Sequence, residues 1–208
     1  MKTLWKSLPA NLKPNGFQLE VGKWFKHKGK LKMCKSGFHC SEKIVNAMYF
    51  VNCEKLAEVE VRGQSIIAKD KQVWSEMRLK KVYDWTKEDN VKLAIYAAEL
   101  VLDIFEKKYP KDKRPRTAID AAKKWLKEPT EENKVALANA AAHAAIYEVI
   151  NAAAHAANAV AHAGAYVTHA ANAGANAATY AVYVASHATD KIKNKCDKFI
   201  LEILKNKV

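Results

Sequence analysis

Residues 135–190 constrain this 208-residue chain more than any other stretch. They hold 25 alanines, and Glu148 is their one acidic residue before Asp190. Alanine is the best helix former because it loses no side-chain entropy on entering a helix. A single helix of that length would run roughly 85 Å at ~1.5 Å per residue. A globule of this chain length has a radius of gyration of only about 17 Å. The stretch is therefore expected to fold back, near residues 148–151 and near Gly164 or Gly174. Alanine faces let helices approach closely, so the expected product is a tight bundle.

Polar residues recur inside this segment with a period of seven. His155, His162 and His169 are spaced by seven, with Asn176 next in register; Asn151, Asn158 and Asn172 stand four residues before His155, His162 and Asn176. Seven residues advance a helix by roughly 700°, about 20° short of two turns, so each series lies along one face where the helix is continuous. Same-face histidines seven apart are about 10.5 Å apart along the axis, too far to share one ion. No His-x-x-x-His pair occurs, so no metal is expected. Two readings stay open: ordinary polar residues hydrogen-bonded within a bundle, or a polar-lined groove. For a groove, asparagine and histidine supply donors and acceptors. Tyr166 and Tyr180 can stack or hydrogen-bond, and Arg114 and Arg116 can hold phosphate.

The remainder divides at Thr86. Residues 1–85 read as β-rich. Phe17, Leu19 and Val21 alternate with polar residues, residues 26–30 hold a turn, and residues 31–34 read as the returning strand of a hairpin. Ser41 is placed to cap a short helix running to about Phe50; residues 56–63 form the clearest strand, and residues 72–85 another. After Thr86-Lys87-Glu88-Asp89, a capping sequence, apolar residues repeat at helical spacing to Tyr109. Pro115 suits the first turn of a helix reaching Lys127, Pro129-Thr130 starts another, and residues 196–204 close the chain as an amphipathic helix. The expected fold class is α+β: a small β-rich N-terminal domain with one short helix (1–85), followed by an alanine-rich α-helical bundle (86–208).

The net charge of +13 favours anionic partners such as phosphates, nucleotides, nucleic acid or acidic proteins. Half of the residues are apolar, enough for a packed core. No apolar stretch follows the first charges, so no signal peptide is expected, and the histidines and asparagines argue against a membrane span. A cytoplasmic protein, of a bacterial or infected host cell, is the expectation. Cys34, Cys40, Cys53 and His39 do not match a common zinc spacing, and buried core cysteines are the simpler reading. Lys23 to Lys32 alternates lysine with other residues around Trp24 and Phe25. That pattern suits a nucleic-acid surface or a merely solvated strand face. No nucleotide-binding loop or hydrolase motif occurs, so no cofactor and no catalytic residue is assigned.

The run from Tyr109 to Trp125 (YPKDKRPRTAIDAAKKW), followed by helices rich in alanine and histidine, resembles the "putative immunity protein" family over about residues 90–190. Cys34-Lys35-Ser36-Gly37-Phe38-His39-Cys40, through residues 56–61, is similar to an uncharacterised domain common in phages and prophages. Its Gly-Phe-His turn, short helix and strand are faintly similar to ADP-ribosyltransferase-like folds, without a catalytic triad. The resemblance implies a role in toxin or phage–host conflict: neutralisation by binding. With the positive charge, it favours sequestration of an anionic, nucleotide-derived signal at Asn151, His155, Asn158, His162, Tyr166, His169, Asn172, Asn176, Tyr180, Arg114 and Arg116. A protein toxin is the alternative partner and nucleic acid the third. Heptad-like spacing leaves a homo-oligomer open.

Overall fold

The computed structural model describes residues 3–49, 53–137 and 190–207. The fold is mixed α+β, an antiparallel sheet followed by helices. It divides into two compact units, Met1–Trp85 with Leu201–Val208, and Thr86–Ile200.

The first unit is built on two long strands, β4 (Lys55–Ile67) and β5 (Gln72–Asp84), paired antiparallel. β1 (Leu4–Leu8) pairs with β4, Leu4 opposite Val59. β2 (Trp24–Lys26) and β3 (Phe38–Cys40) both pair with β5, Trp24 opposite Arg78 and Phe38 opposite Trp74. A short helix, α1 (Ile44–Tyr49), lies between β3 and β4. Leu4, Leu8, Leu19, Ala57, Val59, Met77 and Leu79 form the buried cluster of this sheet. The β4 register slips between Arg62 and Ser65, and Gly63 sits there at φ +84°. A Cβ on Gly63 would lie 2.3 Å from Ser75 Oγ, the oxygen that accepts the Gln64 N–H at 2.9 Å. The bulge therefore requires glycine.

Two local expectations fail here. Residues 31–34 do not return as the partner of 24–26. Instead Gly29, Cys34 and Gly37 take positive φ, Lys32 bridges back to Ser36, and β5 takes β2 as its neighbour. A long strand with a buried apolar face outcompetes a local lysine-rich hairpin. The alternating stretch at 17–21 also forms no strand. Leu19 is pinned in the core at 1% exposure, while Val21 makes one parallel bridge to Leu79.

In the second unit, α2 (Lys87–Lys108) begins at a reciprocal cap. Asp89 accepts from the Thr86 N–H at 2.8 Å, and Thr86 Oγ1 accepts from the Asp89 N–H at 3.3 Å. α3 (Arg114–Lys127) has Pro115 in its first turn, where a missing N–H costs nothing. Val91, Ile95, Ala98 and Leu102 of α2 pack with Ala118, Ile119, Ala122 and Trp125 of α3 and with Leu137. A further helical stretch starts at 131, with Thr130 Oγ1 accepting the Asn133 N–H at 3.2 Å. The C-terminal helix, Asp190–Lys205, is longer than the expected 196–204. It stacks Phe199 on Tyr96, with ring centroids 4.2 Å apart. Among the described residues, no helix is long and apolar enough to cross a membrane. The fold-back expected within 135–190 falls almost wholly on 138–189, outside the described residues.

Candidate functional site

The first unit contains a cleft of about 570 Å³, within the range of small-ligand sites. β1 contributes Lys6, the loop after it Lys13, the turn before β3 Lys35, β3 itself His39, and the β4–β5 turn Lys71. Glu54 is the one acidic residue on the wall. Its carboxylate accepts the Ala10 N–H at 2.9 Å. None of Lys6, Lys13 and Lys35 is held in an ion pair among the described residues. The cleft is thus a basic concavity with little internal neutralisation, which concentrates positive potential where an anion would enter.

Lys6 follows buried Trp5 along β1, and its Nζ donates to the His39 carbonyl at 3.0 Å. Burial lowers its pKa from 10.5 to about 8. A measurable fraction is therefore neutral near physiological pH. His39 Nε2 accepts the Cys34 backbone N–H at 2.8 Å, which requires that nitrogen to be unprotonated. Burial, and next the nearby Lys6 charge, hold the His39 pKa below 6.5. His39 therefore braces the 34–37 turn as a neutral ring and is not free to serve as a general acid. Burial pushes the thiols of Cys40 and Cys53 up to about 12, so both stay protonated. No cluster of metal-ligating side chains occurs among the described residues.

The structure treats the sequence-derived candidates unevenly. Asn151, His155, Asn158, His162, Tyr166, His169, Asn172, Asn176 and Tyr180 lie outside the described residues. Arg114 and Arg116 stand in the first turn of α3, each engaged by a carboxylate. Arg116 grips Glu106 with two bonds, Nε–Oε1 at 2.7 Å and Nη2–Oε2 at 2.5 Å. Arg114 Nε bonds Asp112 Oδ1 at 2.8 Å, and its Nη2 bonds the other oxygen. An anion arriving there meets guanidinium groups already paired. The aromatic surface around Lys23–Lys32 is likewise occupied. Trp24 lies beneath Arg62 at 4.0 Å and Arg78 at 5.0 Å, and those arginines pair with Glu76 and Glu60.

Sequence reasoning missed Lys6, Lys13, Lys35 and Lys71 as a group. They are scattered over 66 positions, and only the pairing of β1 with β4 and of β3 with β5 gathers them. Of the cleft, only the Gly37-Phe38-His39 turn carried a readable signal.

Residues 83–206 match the family model described as "Imm-5 like putative immunity protein". Residues 2–90, which include the whole cleft, match the model of a domain of unknown function, DUF7666. No curated protein and no solved structure matches the chain.

Proposed function

Because the chain belongs to the "Imm-5 like putative immunity protein" family, we propose that it neutralises by sequestration. The ligand is a small anionic, nucleotide-type molecule, and the N-terminal cleft is where its phosphate is held. Membership carries the immunity-type role. The observation that carries the ligand class is the cleft itself: four lysines against one acidic residue, around a volume that fits a nucleotide. Lysine ammonium groups attract phosphate as point charges, and a partly enclosed wall strengthens that attraction. The ligand is held, not consumed. The histidines, asparagines and tyrosines of residues 151–180 lie outside the described residues and are tested separately by substitution.

The alternative partner is a protein toxin, which the family's description favours. The carboxylate-paired arginines, half-buried Arg114 and exposed Arg116, are the described surface suited to it, since arginine is enriched at interfaces. A basic toxin would meet repulsion from a +13 chain.

Thermal unfolding against AMP, ADP-ribose and cyclic dinucleotides separates the two. A ligand at about 100 times its dissociation constant adds ~2.7 kcal/mol to stability. Sequestration gives a shift with one compound, recovered intact. The shift is lost in a Lys13→Gln/Lys35→Gln double variant, and replacing His162 or Asn158 tests the 151–180 series in parallel. A flat panel together with a stable complex with a co-purifying toxin overturns the reading. Affinity for oligonucleotides that falls steeply with salt would instead favour nucleic acid.

A further inference from the structure

The cleft contains one amine unlike its neighbours. Lys13, Lys35 and Lys71 come from loops and turns, whereas Lys6 projects from a strand whose flanking residues Trp5 and Ser7 are 6% and 2% exposed. Its Nζ donates to the His39 carbonyl, and among the described residues no carboxylate pairs with it. A carbonyl acceptor does not demand a charged donor, so the neutral amine keeps this bond. The cavity thus places a nucleophile that can exist uncharged among cations that can hold a phosphate.

We infer that Lys6 captures ligands covalently and reversibly, as an imine with the aldehyde or ketone of a phosphate-bearing molecule seated in the cleft. The ligand class is an anionic carbonyl compound, such as a sugar phosphate or a nucleotide with an open-chain ribose. The neutral amine adds to the carbonyl carbon, forming a C–N bond and a carbinolamine. One amine proton passes to the carbonyl oxygen in that addition; the resulting hydroxyl then leaves as water with the second, and a C=N bond remains. No oxidant, metal or second reactant is needed, and hydrolysis releases the ligand unchanged. The inference rests on the cleft being the site of sequestration proposed above.

Burial supports the chemistry, because desolvation is what makes a lysine nucleophilic. With its pKa lowered to about 8, roughly 20% of Lys6 is neutral at pH 7.4, against roughly 0.1% of an ordinary lysine. That is about a 200-fold population advantage. A weaker base is a weaker nucleophile, so the expected labelling advantage is on the order of ten-fold or more.

The test uses pyridoxal 5′-phosphate, an aldehyde that carries a phosphate, followed by borohydride and peptide mapping. At one equivalent, the adduct is expected mainly on Lys6, slowed by added AMP, and absent from that peptide in Lys6→Arg. In Lys13→Gln/Lys35→Gln, with tryptophan emission unchanged, labelling of Lys6 falls several-fold because the phosphate is no longer held. Label spread over surface lysines according to exposure overturns the inference even if Lys6→Arg does not fold. AMP, which has no carbonyl, separates the two claims. AMP binding with scattered label removes the imine and leaves sequestration standing; scattered label with no binding of AMP, ADP-ribose or cyclic dinucleotides removes both.

Discussion

Gly37 is the residue on which the cleft's geometry can be tested through stability. It opens the turn into β3 at φ +105°, and a Cβ there would lie 2.6 Å from Val73 Cγ2 and 2.7 Å from Leu31 Cδ2. The same Cβ would meet the Trp74 carbonyl oxygen at 3.2 Å. Val73 is fully buried and Leu31 is 9% exposed, so neither side chain can swing away. Gly37→Ala therefore incurs two penalties. A left-handed backbone costs an L-residue roughly 1–2 kcal/mol, and overpacking a filled site adds typically ~1–3 kcal/mol. The expected loss is about 2–5 kcal/mol, from the sum of those ranges. Gly16 supplies the control: its φ is +81° but nothing lies within 4 Å, so Gly16→Ala bears only the backbone term of roughly 1–2 kcal/mol. Urea unfolding followed by tryptophan emission is a suitable assay, since Trp5, Trp24, Trp74 and Trp85 all lie in the first unit. At a slope near ~1.5 kcal/mol/M the Gly37→Ala midpoint falls by about 1–3 M. Equal costs at Gly37 and Gly16, or a Gly37→Ala midpoint at the wild-type value, would falsify the packing argument.

Three further outcomes are expected. Thr86→Ala removes the hydroxyl half of the α2 cap, leaving the Thr86 N–H bonded to Asp89, and costs about 1 kcal/mol, read as a lower melting temperature of the helical signal; no change would mean the hydroxyl is redundant. Ile119→Ala, at 2% exposure between α2 and α3, costs about 2–5 kcal/mol by leaving a cavity, measured by urea unfolding with Trp125 as the nearby reporter. The pH dependence has two windows. His39 is held below 6.5, so the unfolded chain binds a proton that the native state refuses, and stability falls as pH drops through 6.5. Lys6 is held near 8 against 10.5, so stability rises with pH above about 8 until the buried thiols, raised by burial from an ordinary 9 to about 12, begin to oppose it. His39→Asn and Lys6→Met each remove one of these slopes. Slopes identical to wild type in both variants would contradict the assignments.

Local signals made much of the secondary structure legible. The Thr86–Asp89 cap, Pro115 and the apolar periodicity of α2 and α3 are contiguous in sequence, and each has a short-range physical cause. The strand at 56–63 and the extended segment at 72–85 were legible from their apolar residues, whereas the continuation of β4 through the Gly63 bulge to Ile67 was not. β1 was not, because four of its five residues are buried on one side or the other, which erases the alternation. The hairpin expected at 26–34 failed for a related reason: strand pairing is decided by which partner offers the larger apolar face, not by proximity along the chain. The cleft was the least legible element. Four lysines from four separate segments carry no spacing signature, and the desolvation that sets Lys6 apart exists only once β1 is seated. Arg114 and Arg116 were readable as a motif. Their carboxylate partners were not, since Glu106 stands ten residues from Arg116, across the turn between two helices.

The most direct test of sequestration is calorimetric titration of the full chain with AMP and ADP-ribose, repeated on Lys13→Gln/Lys35→Gln, with the ligand's mass checked afterwards. One-to-one binding of an intact ligand, weakened at least ten-fold in the double variant, is what a lysine-walled holding site predicts. Binding that is unchanged by removing both lysines, or no heat with any anion while a protein partner binds tightly, would contradict it.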